Sequence, residues 1–179
     1  MSLVGKQFPY QEVKAINYLG DISNINPFQK AVDENKKILL FWYPKDFSFV
    51  CPTEINSFQE KLSEFEKRDT IVIGASCDTV EVHFAWLNTP IDDGGIEGVT
   101  YPLISDTSRK LSKVLNILDD ESIPYRATYL IDSSGEVFYE SINHMFIGRK
   151  IDEYLRVIDA KILNEQKGEV CLADWENKK

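Results

Sequence analysis

The segment from residue 41 to 54, which reads FWYPKDFSFVCPTE, constrains this chain more than any other stretch. It continues an apolar run, Ile38 to Tyr43, that is too short to cross a membrane and is typical of a strand buried on both faces. Pro44 ends this strand. Pro52 suits the first position of a helix, and apolar residues then recur at helical spacing: Ile55, Phe58, Leu62 and Phe65. The sequence therefore predicts a strand, a loop and a helix, with Cys51 where the loop meets the helix.

Cys51 lies where a thiol is favoured to ionise. At the N-terminal end of a helix the peptide dipoles place partial positive charge, and several backbone N–H groups lack partners. Both effects stabilise the thiolate, which is the reactive form. Ser48, three residues earlier, adds a hydroxyl that is able to donate to or accept from an oxygen ligand. The alternative is that Cys51 is a buried small hydrophobe and Ser48 a turn residue. The strand, Pro44 and the helix start favour a reactive thiol.

Composition limits the number of domains, the location and the partners that we expect for this chain. A chain of 179 residues that is 43% hydrophobic can bury one sizeable core, so we expect one catalytic domain. The opening MSLVGKQFPYQEV has no apolar stretch of signal-peptide length, and we expect a soluble, cytoplasmic protein. Its net charge of −9 disfavours nucleic acid and anionic membranes as partners. The three cysteines, at 51, 77 and 171, form no disulfide framework and fit a reducing compartment.

Strand and helix patterns alternate along the chain. Strands are predicted over 38–43, 70–76, 126–131 and 136–141, and helices over 26–35, 80–87, 107–118 and 149–163, besides the helix after Cys51. The last two strands are joined across a hairpin turn at 132–135. This order predicts an α/β sheet covered by helices on both faces. A polar stretch after Leu163 ends the pattern, which predicts a domain over 1–163 and a tail over 164–179 that carries Cys171.

The pattern Pro44-x-x-x-Ser48-x-x-Cys51, followed by PTE, resembles the active-site signature of the typical two-cysteine peroxiredoxins, which include alkyl hydroperoxide reductase C subunits. Further segments resemble family blocks in the same order: CDTVEVHFAW, YPLISD, YRATYLID, NHMFIGRKIDEYLR and GEVCLADW. The resemblance extends from about residue 8 to 175. It implies a thioredoxin-like fold and a thiol-dependent peroxidase that acts on hydrogen peroxide and organic hydroperoxides in antioxidant defence, without a cofactor or metal.

The resemblance also implies a role for each cysteine of the reaction. Cys51 is implied to be the peroxidatic cysteine, which becomes a sulfenic acid, and Pro44 to shield that intermediate. Cys171 is implied to be the resolving cysteine, which forms a disulfide with Cys51 of the partner subunit. An external dithiol protein, thioredoxin or a flavoprotein disulfide reductase, then reduces the disulfide. The family resemblance further implies a homodimer that assembles into a decameric ring.

Three charged residues are candidates to support Cys51. Arg126 begins a predicted strand, where its guanidinium could lie beside the thiolate or could simply be solvated at the strand end. The resemblance favours the first interpretation. It also implies that Glu54 and Arg149 form an ion-pair network around that arginine, although both could be ordinary surface charges.

The other thiols and the histidines differ in their predicted roles. Cys171 lies in a polar tail, where an exposed thiol can condense with a sulfenic acid. It is followed by Leu172, where the family commonly has proline. Cys77 follows an apolar run and is predicted to be a packed thiol at a strand end. His83 and His144 lack partners at metal-ligand spacing, which favours structural roles.

Two other function classes remain open at this point. A thioredoxin-type oxidoreductase would share the fold, but it usually uses Cys-x-x-Cys, and the third residue after Cys51 is Glu54. A holdase or scaffold built from large oligomers is a non-enzymatic alternative. We also expect resistance to overoxidation, because the loop at 94–98 reads GGIEG and no Tyr-Phe pair follows Cys171, unlike in peroxide-sensitive members of the family.

Overall fold

Seven strands form one sheet in the computed structural model, which describes residues 2–177. In chain order the strands are β1 (Val13–Ile16), β2 (Ile22–Ile25), β3 (Lys37–Trp42), β4 (Thr70–Ser76), β5 (Leu103–Ser105), β6 (Arg126–Ile131) and β7 (Val137–Asn143). Across the sheet the order is β2-β1-β5-β4-β3-β6-β7. The central strands β3, β4 and β5 are parallel, and the remaining neighbours pair antiparallel. The sheet therefore has a parallel centre with β2 and β7 at its outer edges.

Helices cover both faces of this sheet. They are α1 (Pro27–Glu34), α2 (Cys51–Glu60), α3 (Leu62–Glu66), α4 (Val80–Leu87), α5 (Lys110–Val114) and α6 (Ile151–Lys167). Alternate residues of β3 point into two separate cores, because side chains of a strand alternate between its faces. Leu39 and Phe41 join the core that includes α2, α3, α4 and α6. Ile38 and Leu40 join the core that includes α1 and α5. The predicted α/β, thioredoxin-like architecture is confirmed.

The predicted helix over 107–118 is mostly wrong. Only Lys110–Val114 is helical, and Val114 is 60% exposed. Arg109 and Asn116 have positive φ angles of 55° and 54°, which a continuous right-handed helix excludes. The helix after Cys51 is likewise divided, with α2 ending and α3 beginning on either side of Lys61.

The last helix is longer than its polar sequence suggested. It continues to Lys167 and ends at Gly168, whose φ of 67° favours glycine. The chain then folds back, and the Asn164 side chain donates to the Glu169 carbonyl at 3.0 Å. The division into a domain over 1–163 and a tail over 164–179 stays a prediction, and residues 178 and 179 of that tail lie outside the described residues. Across 2–177, every helix is too short or too polar to cross a membrane.

Candidate active site

Cys51 is the first residue of α2 and is fully buried. The residue before it, Val50, makes no side-chain cap to the helix, and its carbonyl accepts from the backbone N–H groups of Thr53 and Glu54 at 3.1 and 3.3 Å. Cys51 also belongs to the apolar core of that face, in contact with the α2, α4 and α6 layer. Burial alone would suit a small hydrophobe as well as a reactive thiol. The polar groups around its sulfur therefore distinguish the two.

Arg126 supplies the polar contact to the thiol. Its Nη1 donates to the Cys51 Sγ at 3.4 Å, and its Nε donates to the Met145 carbonyl at 2.7 Å. The guanidinium reaches the thiol because β6 is antiparallel to β3, with Thr128 opposite Phe41. The start of β6 thus lies at the end of β3, where the loop to Cys51 leaves the sheet. Arg126 is only 3% exposed, so it is not a solvated strand-end residue.

Glu54 holds two guanidinium groups in place one turn after Cys51. Its Oε2 accepts from Arg126 Nη1 at 2.6 Å and from Arg149 Nη1 at 2.9 Å, while its Oε1 accepts from the Arg149 backbone N–H at 2.9 Å. Arg149 is itself fixed by further acceptors: the Thr128 hydroxyl at 2.8 Å, the Ala127 carbonyl at 3.0 Å and the Trp42 carbonyl. Its guanidinium also lies 5.6 Å from the centre of the Phe41 ring. Glu54 and Arg149 are therefore not surface charges.

This buried cluster carries more positive than negative charge. Arg126 and Arg149 share the single carboxylate of Glu54, and neither guanidinium has a second carboxylate within ion-pair distance in the described part of the chain. Burial lowers the pKa of Arg149, and the charge of Glu54 acts in the opposite direction. Buried charges are stable only when they are paired. A Cys51 thiolate would supply the missing negative charge.

Ser48 presents an unused hydroxyl in the loop before Cys51. The residue is half-buried, and its Oγ is closed off from solvent without a hydrogen-bond partner among the described residues. An isolated buried hydroxyl costs free energy, so such groups usually mark a missing ligand or a functional role. Pro44, also half-buried, opens the same loop at the end of β3. The Ser48 hydroxyl, which lacks a partner, therefore lies in the same loop as Pro44 and three residues before the thiol.

Cys171 lies elsewhere, on the flank of α6. The residue is half-buried, and its Sγ donates to the Ala160 carbonyl at 3.7 Å, a long contact that sulfur permits. The nearby Trp175 carbonyl accepts from Arg156 at 3.2 Å, which also holds the tail on α6. Cys51 and Cys171 are both free thiols here. The structure does not bring the two predicted redox partners together within one chain.

Cys77 follows β4 and is half-buried, with its Sγ 3.8 Å from the Ser112 hydroxyl. Burial raises the pKa of its thiol to about 11, so it is protonated at neutral pH. His83 is fully buried and hydrogen-bonded within the fold. His144 accepts a long contact from the Phe146 backbone N–H, and its ring lies 5.3 Å from the Phe146 ring. Groups of acidic, histidine and cysteine side chains suited to hold a metal are absent from residues 2–177.

Sequence reasoning missed two residues that support the site. Thr128 accepts from Arg149 and donates to the Tyr154 hydroxyl at 3.1 Å, so it connects the cluster to α6. It is two residues from Arg126 on one strand, and such residues share a face, which was a usable signal. Asp46, in the loop after Pro44, is 2% exposed and bonds to His83. Its partner is 37 residues away in sequence, and no local pattern indicated the pairing.

Comparison with known proteins identifies relatives over nearly the whole chain. The AhpC/TSA family matches residues 4–140. Alkyl hydroperoxide reductase C of Helicobacter pylori is 40% identical over 173 residues, which covers 97% of this chain and 87% of the relative. Peroxiredoxin-2 of Bos taurus is 40% identical over 167 residues, covering 93% and 76% respectively. The crystal structure of reduced Plasmodium vivax 2-Cys peroxiredoxin superposes with a TM-score of 0.95 at 38% identity, covering 100% of this chain and 92% of that one.

Proposed function

Because the chain belongs to the AhpC/TSA family and is a peroxiredoxin, a thiol peroxidase that reduces peroxides, we propose that Cys51 is its peroxidatic nucleophile. The observation that carries this proposal is the contact of Arg126 Nη1 with the Cys51 Sγ at 3.4 Å, inside a buried cluster with one unbalanced positive charge. Neither of the other two thiols has such a partner among the described residues. Cys77 faces a serine hydroxyl and Cys171 a backbone carbonyl.

The first step is attack of the Cys51 thiolate on one oxygen of a hydroperoxide. A sulfur–oxygen bond forms as the oxygen–oxygen bond breaks, which leaves Cys51 as a sulfenic acid. The departing oxygen leaves with the bonding electrons and takes up a proton to become water or an alcohol. Arg126, the Ser48 hydroxyl and the backbone N–H of Cys51 at the start of α2 stabilise the charge that develops on the peroxide oxygens. Pro44 shields the intermediate from solvent.

The second step is condensation with Cys171 of a second copy of the chain. The Cys171 thiol attacks the sulfenic sulfur, a disulfide forms and water leaves. An intrachain reaction is disfavoured by the position of Cys171 beside Ala160, about 14 Å along α6 from the helix end that adjoins Arg149. An external dithiol protein, thioredoxin or a flavoprotein disulfide reductase, then returns both cysteines to thiols.

A homodimer that assembles further into a decameric ring would cover a strand edge and apolar side chains that are exposed in a single chain. The outer edge of β7 pairs with Gly5 and Lys6 at Val137, but beyond that residue it has no neighbouring strand within residues 2–177, and an unpaired edge favours pairing with another chain. Large apolar side chains are exposed near this edge: Ile142 at 51%, Phe146 at 83% and Ile147 at 60%.

The free cysteines fit the reducing conditions of the cytoplasm, where we place the protein.

A peroxide-consumption assay of Cys51→Ser, with Cys77→Ser as the matched control, tests the central assignment. With dithiothreitol as reductant, Cys51→Ser should consume hydrogen peroxide no faster than dithiothreitol alone, whereas Cys77→Ser should match the wild type. Full activity in Cys51→Ser would overturn the assignment. Suppression of the aggregation of an unfolded protein, measured on the same samples, addresses the holdase alternative. A protein that acted only as a holdase would be indifferent to Cys51→Ser and would show no peroxide turnover in any variant.

A further inference from the structure

Asp46 and His83 form a buried pair beneath the loop that leads to Cys51. Asp46 lies between Pro44 and Ser48 and is 2% exposed, while His83 lies on α4 and is fully buried. The Asp46 Oδ2 and the His83 Nδ1 are 2.6 Å apart. On the other side of the ring, His83 Nε2 lies 3.1 Å from the Ile104 carbonyl oxygen of β5. The pair thus ties the loop to both a helix and the sheet.

The geometry of His83 requires that the pair holds a proton. A carbonyl oxygen can only accept, so Nε2 must carry a hydrogen and donate it to Ile104. Nδ1 and the Asp46 Oδ2 then need one further proton between them, because two lone pairs cannot face each other at 2.6 Å. That proton makes the pair either an imidazolium with a carboxylate or a neutral imidazole with a carboxylic acid. In either form, removal of this proton would break the hydrogen bond between Asp46 and His83 that anchors the loop.

The surroundings of the pair favour retention of this proton. Burial is the main effect on Asp46 and raises the pKa of its carboxyl, while the contact with His83 acts in the opposite direction. Asp78 adds a second negative charge and accepts from the Asp46 backbone N–H at 3.0 Å and from the Ser76 hydroxyl at 2.8 Å. The Tyr43 hydroxyl, at the end of β3, lies 3.5 Å from Nδ1, and burial raises the pKa of Tyr43 well above its usual range.

The loop beyond Asp46 is held in a strained conformation. Phe47 has a φ of 53°, in the left-handed region that side chains other than glycine rarely adopt. Its ring lies 5.7 Å from that of Trp86 on α4. Such a conformation persists only when neighbouring contacts enforce it, and Asp46 supplies two of them, through its backbone and its side chain. The residue that follows the strained one is Ser48, whose buried hydroxyl is unsatisfied.

We propose that Asp46 and His83 are positioning residues for the peroxidase reaction, and that their shared proton fixes the Pro44–Ser48 loop so that the Ser48 hydroxyl is presented to the peroxide. This inference rests on the proposed function. Neither residue touches the reacting sulfur, so both act through Ser48. Removal of the anchor allows the strained Phe47 to relax and moves the hydroxyl. The proton is essential to this anchor, because without it the carboxylate would face an unprotonated ring nitrogen at 2.6 Å.

A double-mutant cycle with Ser48 tests this mode of action. The rate of Cys51 oxidation in a single turnover is measured by rapid alkylation and mass spectrometry for Asp46→Ala, Ser48→Ala and the double variant. Each single variant should be slower by about tenfold. The double variant should be no slower than the slower single one, because Asp46 acts only through the hydroxyl. Multiplied effects, or an unchanged rate in Asp46→Ala, would overturn the proposal.

The rate of Asp46→Asn supplies a second test that does not depend on the stability of the alanine variant alone. An amide N–H can donate to unprotonated Nδ1, so this variant should keep the loop in place and recover most of the rate that Asp46→Ala loses. An Asp46→Asn rate as low as that of Asp46→Ala would contradict the hydrogen bond to His83 as the anchor of the loop.

Asp106→Ala is the matched control for burial. Asp106 is also a fully buried carboxylate, and it holds the Ser112 backbone and hydroxyl at 2.8 Å, away from the active-site loop. It should lose stability without loss of rate in the folded protein. Failure of the proposed function would look different: Ser48→Ala and Cys51→Ser would then keep the wild-type rate of peroxide reduction. Failure of the positioning role alone would leave Ser48→Ala slow and Asp46→Ala fast.

Discussion

Arg126 and Glu54 form a buried ion pair in which one nitrogen serves two partners. Arg126 Nη1 lies 2.6 Å from the Glu54 Oε2 and 3.4 Å from the Cys51 Sγ. The carboxylate therefore holds the guanidinium against the thiol before any substrate arrives. Donors that are fixed in advance need no reorganisation during the reaction, which is why such groups contribute strongly to rate.

Arg126→Ala should slow peroxide reduction by about 10²-fold, the usual loss when one fixed donor to a developing charge is removed. Arg126→Lys keeps the charge but loses the planar fork that reaches Glu54, Cys51 and the Met145 carbonyl together, so it should restore only part of the rate. Second-order rate constants from stopped-flow peroxide consumption measure both effects. Full rescue by lysine would mean that charge alone matters.

The control for that series is Arg68→Ala. Arg68 forms a two-point ion pair with Asp159 at 2.6 and 2.9 Å, remote from the thiol. Its removal should lower thermal stability and leave the rate constant of the folded protein unchanged.

Glu54→Ala should destabilise the fold by about 3–5 kcal/mol, because it leaves two buried guanidinium groups without the carboxylate that they share. Glu153→Ala removes the partner of Arg156 in a pair whose side chains are 34% and 39% exposed, and it should cost at most about 1 kcal/mol. Urea unfolding of both variants measures the difference. Equal losses would contradict the assignment of Glu54 as the anion that holds this cluster together.

The sequence predicted the bounds of an element correctly where its own residues formed a long and regular hydrophobic pattern. Strands 70–76 and 126–131 and helix 80–87 have the predicted bounds, because long apolar or helix-periodic runs specify them. The strands β1, β2 and β5 were missed. They contain only three or four residues, and three of the four residues in β2 are exposed, so neither alternation nor a continuous apolar run is visible.

For the candidate site, the spacing of the chain indicated which loop residues lie near Cys51, whereas the ion-pair network of Glu54 and Arg149 was expected only from the family resemblance. Pro44, Ser48 and Cys51 lie within one loop and helix start, where spacing alone indicates proximity. The convergence of Glu54 and Arg149 depends on how α2 packs beside the start of α6, 95 residues later. Asp46 was invisible for the same reason. In the sequence, Asp46 looks like an ordinary loop carboxylate, and only the fold shows that it is buried against His83.

Peroxide treatment of the wild type should give a Cys51–Cys171 disulfide that runs as a dimer on non-reducing gels. Cys171→Ser should abolish this band while leaving the first turnover intact, since Cys51 still forms a sulfenic acid. Cys77→Ser should change neither observation. If the dimer band persisted in Cys171→Ser, the resolving role would be assigned to Cys77 instead.

Cys77 should resist alkylation by iodoacetamide at neutral pH. With a pKa of about 11, roughly one thiol in a thousand is ionised at pH 8, and only the thiolate reacts. The rate of modification, followed by mass spectrometry of the tryptic peptide, should rise as pH approaches 11. Because folding raises this pKa, its stabilising contribution is complete below about pH 9 and is lost as pH rises towards 11. Rapid modification at pH 7 would mean that the thiol is not shielded as described.

The unbalanced charge of the Arg126, Arg149 and Glu54 cluster also bears on electron transfer. A Cys51 thiolate neutralises the cluster, but a disulfide at Cys51 carries no charge and leaves a buried cation without a counter-ion. In the proposed mechanism this difference would favour the reduced enzyme over the oxidised one and raise the reduction potential of the disulfide. The same buried cation that faces Cys51 in the proposed attack on peroxide would then make the disulfide easier to reduce by an external dithiol.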